Sequence, residues 1–375
     1  MCTHKGRVFR VFTLGFVVVA TGLAQDSATP APPPALSPKS YLGSIKYYGL
    51  LDAHYVRSYN HPASRVNQLH NFAVRANHFD LSYAEFAMEH DASPIGFRFD
   101  VGVGRTTKLV YGAEQAGEAF RYIQQVYLSL IPPGAKGLQI DAGKFVTSAG
   151  AEVIEATGNW NYSRSLLFAW AIPYYHLGIR TSMPLHKNYT AGVQVLNGWN
   201  NVKDINSGKT LGLTGTLTKG KVTWFHNYLV GPEKAHTNEG FRHLFDTTVL
   251  VNPNSKTSFY VNFDFGRDER IGGGADQWVG VAGAARYQVN KWFALAPRLE
   301  WFDDRDGFST GTPQTLKEFT MTGELRLPAE MPILARVEYR RDWSDVPFFE
   351  RASGLSPVKN QDTLLVGLLF TFEKK

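Results

Sequence analysis

Residues 256–303 read KTSFYVNFDFGRDERIGGGADQWVGVAGAARYQVNKWFALAPRLEWFD. The segments within it have a period of two, not 3.6. In 256–266, Phe259, Val261, Phe263 and Phe265 fall on one face, with Ser258, Tyr260, Asn262 and Asp264 on the other. In 291–303, Phe293, Leu295, Leu299 and Trp301 oppose Ala294, Ala296, Arg298 and Glu300. The middle segment, 276–288, follows a long glycine-rich connection and leads into a tight turn at Asn290-Lys291. Strands with one apolar and one polar or charged face, joined alternately by long and short connections, decide the fold.

The pattern extends in both directions. In 316–327, Phe319, Met321 and Leu325 oppose Thr320, Thr322, Glu324 and Arg326. In 333–343, Ile333, Ala335, Val337 and Tyr339 oppose Arg336, Glu338, Arg340 and Asp342. The first eight expected strands are 44–56, 79–90, 95–106, 120–131, 137–146, 172–183, 188–198 and 209–218. The other eight are 221–231, 242–252, 256–266, 276–288, 291–303, 316–327, 333–343 and 362–373. Connections from even to odd strands are short. Those from odd to even strands are long: 57–78, 107–119, 147–171, 199–208, 232–241, 267–275, 304–315 and 344–361.

Loop lengths sorted by parity are the layout of an up-and-down transmembrane barrel with short periplasmic turns and long external loops. A sandwich has no reason to sort them so. The expected fold is therefore all-β, an antiparallel barrel of about 16 strands, each long enough to cross a bilayer at a tilt. Lipid cannot hydrogen-bond a sheet edge, so the sheet must close on itself. Its outer face is apolar and its inner face wet, which explains a mean hydropathy of only −0.22. Paired aromatics near strand ends read as interfacial girdles: Tyr47 and Tyr48, Tyr174 and Tyr175, Trp292 and Phe293, Trp301 and Phe302, Phe370 and Phe372.

Composition removes the main rivals. The 375 residues are 43% hydrophobic and 13% aromatic, too apolar for a disordered chain. No window approaches the roughly 18 uncharged apolar residues of a spanning helix. The single cysteine, Cys2, excludes disulfide scaffolds and cysteine-based zinc sites. A formal charge of +6 is too mild for a nucleic-acid binder, and no nucleic-acid partner is expected.

Residues 1–24 read as a secretory signal peptide: basic residues to Arg10, an apolar run from Val11 to Ala20, then small residues before a cut near Ala24. Residues 25–43, with prolines at 30, 32, 33, 34 and 38, read as a periplasmic linker, and 44–375 as the barrel. The last strand, DTLLVGLLFTFEKK, sets Leu364, Val366, Leu368, Phe370 and Phe372 on one face. Such a strand is the kind of signal that barrel-assembly machinery reads, although here a Glu373-Lys374-Lys375 tail follows the aromatic.

From Gly143 to Arg180 the sequence is GKFVTSAGAEVIEATGNWNYSRSLLFAWAIPYYHLGIR, and Asn197–Asn201 is NGWNN. These motifs resemble the OmpL-like putative β-barrel porin family. The shared features are a Gly-Lys-Phe strand end, a Gly-x-Glu, an Asn-Tyr-Ser-Arg-Ser loop, an Ile-Pro-aromatic strand start and an Asn-Gly-Trp-Asn turn. The resemblance implies a pore in the outer membrane of a Gram-negative-type bacterium and specifies no substrate.

About 16 strands leave an aqueous lumen. The third long connection, 147–171, is expected to fold inward and narrow it, with Glu152, Glu155 and Arg164 at a constriction. Candidate wall residues are Arg98, Asp100, Arg180, Arg298, Glu300, Glu324, Arg326, Arg336, Glu338, Arg340 and Asp342. Acids on a loop facing bases on a wall set up a transverse field that favours small polar or charged solutes. The same charges can instead pair across neighbouring strands, as the alternating signs of Arg336, Glu338, Arg340 and Asp342 suggest. Arg164, set between two serines, could also hold the loop by bonding carbonyls.

Signals for other chemistry are weak. Asp304-Arg305-Asp306-Gly307 resembles the start of a calcium loop but lacks the later ligands. The histidines form no ligand pair, and there is no Gly-x-Ser-x-Gly. No metal, cofactor or catalytic residue is expected. The expected function is passive diffusion of small hydrophilic solutes or ions. The expected partners are outer-membrane lipid and the assembly machinery, with a homotrimer as the usual porin assembly. The alternatives are a barrel used for adhesion through loops 57–78 and 344–361, or an outer-membrane enzyme.

Overall fold

The computed structural model describes residues 44–112, 114, 116–328 and 332–374. The expected signal peptide and linker lie outside them. The first eight strands are β1 (Lys46–Ser58), β2 (His78–His90), β3 (Ile95–Val103), β4 (Ile123–Leu130), β5 (Gln139–Val146), β6 (Tyr175–His186), β7 (Tyr189–Leu196) and β8 (Thr210–Lys219). The second eight are β9 (Val222–Pro232), β10 (Phe241–Val251), β11 (Thr257–Glu269), β12 (Ala275–Gln288), β13 (Phe293–Asp304), β14 (Gln314–Arg326), β15 (Ile333–Ser344) and β16 (Asn360–Lys374). All sixteen expected strands form, with ends within about three residues of the sequence reading.

Each strand pairs antiparallel with its sequence neighbours, and β1 pairs with β16 from Tyr47↔Lys374 to Ser58↔Thr363, closing the barrel. The sheet therefore has no free edge, as hydrocarbon requires. Two short helices, Arg105–Val110 and Ala119–Tyr122, occupy the connection between β3 and β4. The β3 strand stops at Val103, short of the expected end, because Gly104 turns the chain at φ 129° into the first of them.

Alternation of side chains sorts the two faces. On β13, Leu299 is 63% exposed on the outer wall while Arg298 beside it is 0% exposed on the inner one. On β15, Val337 points out and Arg336, Glu338, Arg340 and Asp342 point in. The outward set of β16, including Val366, Leu368, Phe370 and Phe372, is the apolar face read from the sequence.

The paired aromatics divide differently from the expectation of girdles. Tyr47 stacks on Phe86 of the outer face at 6.2 Å, whereas the Tyr48 hydroxyl meets Thr157 Oγ1 at 3.5 Å. Trp301 points outward and Phe302 is buried inside; Tyr174 and Tyr175 are both buried. Adjacent residues of a strand cannot share a face, so within a strand only one of two neighbouring aromatics can enter a girdle.

Leu299 sits near the middle of its strand, so Leu299→Arg is expected to cost about 2–4 kcal/mol of folding into vesicles. Leu355→Arg, in the exposed β15–β16 connection, should change stability by less than about 0.5 kcal/mol. Reversible denaturant unfolding of both variants in lipid checks the pair, and equal costs would contradict the assigned faces.

Candidate functional site: the arginine wall and the connection between β5 and β6

The longest connection runs from Thr147 to Tyr174, between β5 and β6. At its start Asn227 and Gln194 donate to the carbonyl and hydroxyl of Ser148, each at 3.1 Å. Further on, Asn161 Nδ2 donates to the Ala296 carbonyl at 2.9 Å and to Thr322 Oγ1 at 2.8 Å. The Tyr162 hydroxyl reaches Asp52 at 2.5 Å and His54 Nδ1 at 2.9 Å. Glu338 accepts the backbone N–H groups of Tyr162 at 2.5 Å and Ser163 at 2.9 Å. Near the end, Trp278 Nε1 donates to the Ala171 carbonyl at 3.0 Å. Every one of these partners belongs to a strand of the wall.

Three wall arginines serve the backbone of the same connection. Arg336 donates to the carbonyls of Ala156 at 2.6 Å, Asn161 at 3.1 Å and Asn159, while holding Glu324 at 2.9 Å. Arg298 donates to the Ser163 carbonyl and to Glu152, both at 2.7 Å. Arg340 donates to the Arg164 carbonyl and to Asp342, both at 2.7 Å. Each guanidinium is at most 1% exposed, so each needs both a counter-charge and filled donors to offset its desolvation. The five-donor fork suits this task, because it can meet a carboxylate on one edge and carbonyls on the other.

Arg164 works within the connection itself. It donates to the carbonyls of Tyr162 at 2.5 Å, Val153 at 3.3 Å and Ile154, and lies 4.2 Å over the Phe72 ring. Burial pulls its pKa below the ordinary arginine value, with Asp52 opposing. Asn159 closes a local ring, accepting from Val153 N–H at 2.9 Å and donating to the Val153 carbonyl at 2.8 Å. Asn200 of the NGWNN segment caps the exit, accepting the Tyr174 N–H at 2.6 Å. Asn161, Arg164 and Asn200, among the residues that carried the sequence resemblance, thus help the wall to fix this segment.

The remaining sequence candidates fall into groups. Glu152 is buried, bonded to Arg298 and to the Ser165 N–H at 2.6 Å. Acids and bases were expected to face one another across water, but this acid and this base touch, because neither can be buried alone. Glu155 is only partly buried and accepts from Gln124. Arg298 contacts Glu300 at 3.1 Å and Glu318 at 3.2 Å. Arg98 is held by Asp100 at 2.6 Å and by Glu89, and Arg180 by Asp141 at 2.9 Å. Arg98 and Arg180 keep partial exposure, unlike the cluster on β13–β15. Arg326 ends β14 at the short-turn side, exposed and 3.6 Å from Glu324.

Sequence reasoning missed the connection between β1 and β2, which packs on the same cluster. His70 Nε2 lies 3.0 Å from Asp342, Trp170 Nε1 donates to the Leu69 carbonyl at 3.2 Å, and Phe72 covers Arg164. No periodicity marks these residues, because they lie outside the strands. Burial, and next the Arg340 charge, hold the His70 pKa below its ordinary 6.5, against the pull of Asp342.

Two outcomes follow from these contacts. Arg336→Ala removes a donor from three loop carbonyls and one of the two close partners of Glu324, which keeps Arg286 at 2.7 Å, and should cost about 1–3 kcal/mol. Tryptic cleavage after Arg164 should rise in parallel, whereas Arg336→Lys should fall between the two. For His70, the unfolded chain binds a proton at a higher pH than the folded one does. Its contribution is therefore complete above pH 6.5 and fades as the pH falls below it. Unfolding of wild type and His70→Gln at pH 7.5 and pH 5 should show a smaller acid loss in the variant.

Several solved barrels have the same architecture. OmpT of Vibrio cholerae superposes with a TM-score of 0.59 at 11% identity, covering 88% of this chain and 97% of that one. The outer membrane channel DcaP of Acinetobacter baumannii gives 0.58 at 10% identity, with 88% and 97% covered. An anion-selective porin from Comamonas acidovorans gives 0.55 at 11% identity, with 88% and 99% covered. At such identities the likeness speaks for the fold alone. No curated protein matches the sequence. Residues 44–372 match the family described as "Putative beta-barrel porin-2, OmpL-like". Covering the whole barrel, that match places the chain in the OmpL-like putative β-barrel porin family, as an outer-membrane channel.

Proposed function

We propose that the channel passes small hydrophilic solutes or ions by diffusion, with the connection between β5 and β6 folded inward to set its narrowest point. The observation that carries this reading is the bonding of that connection to inward-facing side chains of β1, β9 and β13–β15. A segment held at both sides of the lumen narrows it, and one held by buried ion pairs stays in place. Glu155 is the loop charge that meets the solute path, since Glu152 and Arg164 are committed to internal contacts. On the wall, Arg98 and Arg180, which keep partial exposure, supply charges that act on solutes, and the buried Asp100 holds Arg98 in place. The rest of the charged wall, Arg298, Glu300, Glu324, Arg336, Glu338, Arg340 and Asp342, anchors the loop.

The protein is a channel and not an enzyme in this reading. It is exported with cleavage near Ala24, inserted by the barrel-assembly machinery into outer-membrane lipid, and assembled as a homotrimer. One similar structure, in-vitro folded OmpT of Vibrio cholerae, is of a trimer form.

Single-channel recording of the refolded chain in a planar bilayer tests the proposal. Discrete openings that scale with salt are expected, and Glu155→Gln should shift the reversal potential toward anions by removing a lumen charge. Arg336→Ala should raise conductance by loosening the loop. A folded, inserted barrel without openings would end the diffusion reading. An unchanged reversal potential in Glu155→Gln would move the constriction elsewhere.

A further inference from the structure

The two rims of the barrel differ in charge. Five successive short turns, 131–138, 187–188, 220–221, 252–256 and 289–292, contain no aspartate or glutamate. They and their flanks carry Lys136, Lys187, Lys219, Lys221, Lys256 and Lys291, all exposed. Among the described residues, none of the six is within ion-pair distance of a carboxylate. The turn between β2 and β3 is unlike them, since its Asp91 holds Lys46 at 2.8 Å. The long connections are also different. Their cations stand among acids such as Asp204, Glu233, Asp306 and Glu350, and some of them pair: Lys234 meets Asp268 at 3.1 Å, and Lys209 and Arg270 have carboxylate partners too.

We propose that this rim binds the phosphate headgroups of anionic phospholipids in the periplasm-facing leaflet, along the arc from the β4–β5 turn to the β12–β13 turn. The inference rests on the outer-membrane placement of the barrel and not on its transport role. Short turns belong to the periplasmic side of such barrels. Here the lysines stand directly beside lipid-facing side chains. Leu185 precedes Lys187 by two residues and Trp224 follows Lys221 by three, both exposed on the outer wall, and Trp292, in the turn next to Lys291, is exposed as well. Lys291 Nζ lies 4.7 Å from the Trp292 ring centroid, at the edge of the apolar band.

The geometry favours lipid over a soluble macromolecule. Turns of two to eight residues barely project beyond the wall, so the ammonium groups lie at headgroup depth. They also follow the circumference of the barrel instead of gathering into one patch. A lipid annulus has that shape. Lysine is a point charge with a flexible stem that can reach a phosphate without fixed geometry.

The test uses the full mature chain in vesicles of phosphatidylethanolamine and phosphatidylglycerol, with one lipid at a time brominated on its acyl chains. Quenching of lipid-facing tryptophans, Trp224 among them, reports the lipid at the wall. The expected result is an annular preference for phosphatidylglycerol of about three- to tenfold at low salt. It should collapse toward one at high salt, where screening is short-ranged. The fourfold change Lys187→Gln, Lys219→Gln, Lys221→Gln and Lys256→Gln should abolish it. Equal quenching by both lipids in the wild type would overturn the proposal. So would a preference that survives both salt and the substitutions. Loss of binding to isolated peptidoglycan in the variant, with lipid preference unchanged, would overturn it in favour of the wall polymer.

Discussion

A bilayer offers a backbone no hydrogen-bond partner, and the pairing of β1 with β16 answers that constraint. Everything else follows from the closed ring. A closed sheet of sixteen strands has an outer face that must be apolar and an inner face that need not be. Side chains alternate between the two, so a strand such as β13 carries Leu299 and Arg298 side by side without conflict. The ring also sets the short turns along one rim, which is why six lysines on five successive turns form one arc.

A wide ring creates a second demand. Apart from a 3-10 turn at Ala156–Gly158 and a π-helical turn at Leu167–Ala171, the connection between β5 and β6 is irregular, so most of its carbonyls lack the regular partners of a helix or a sheet. The wall arginines have the converse need, being charged and buried. Each need meets the other at Arg298, Arg336 and Arg340, where carboxylates neutralise the charge and loop carbonyls fill the donors. Space is made on the wall as well. A Cβ on Gly367 would stand 2.5 Å from the Tyr162 ring, and one on Gly280 would stand 2.7 Å from Leu167 Cδ1. The loop and the wall are therefore fitted to each other in charge, hydrogen bonding and shape.

Legibility in the sequence followed periodicity. The strands were readable because alternation is a local property that survives in any register. The motif from Gly143 to Arg180 was readable as a unit, but the partners of its residues were not. Glu152 and Arg298 are 146 residues apart, and nothing local joins them. The alternating signs on β15 suggest pairing but do not name the partners: Arg336 meets Glu324 across on β14, Arg340 meets Asp342 on its own strand, and Glu338 turns to the backbone of Tyr162 and Ser163. The inward packing of His70 and Phe72 left no trace at all, since an aperiodic connection carries no facing information.

The sequence by itself determined the barrel: its strand number, its order, its two faces and the parity of its loops. A period of two and the chemistry of turns are short-range, and lipid leaves closure as the one way to finish such a sheet. Only the tertiary structure decided which charges are spent on holding the chain and which keep partial exposure. Glu152 and Glu155, three residues apart, differ in this respect because one meets a buried guanidinium and the other does not. That distinction depends on burial and on partners far away in the chain, and the free energy of a charge is set by both.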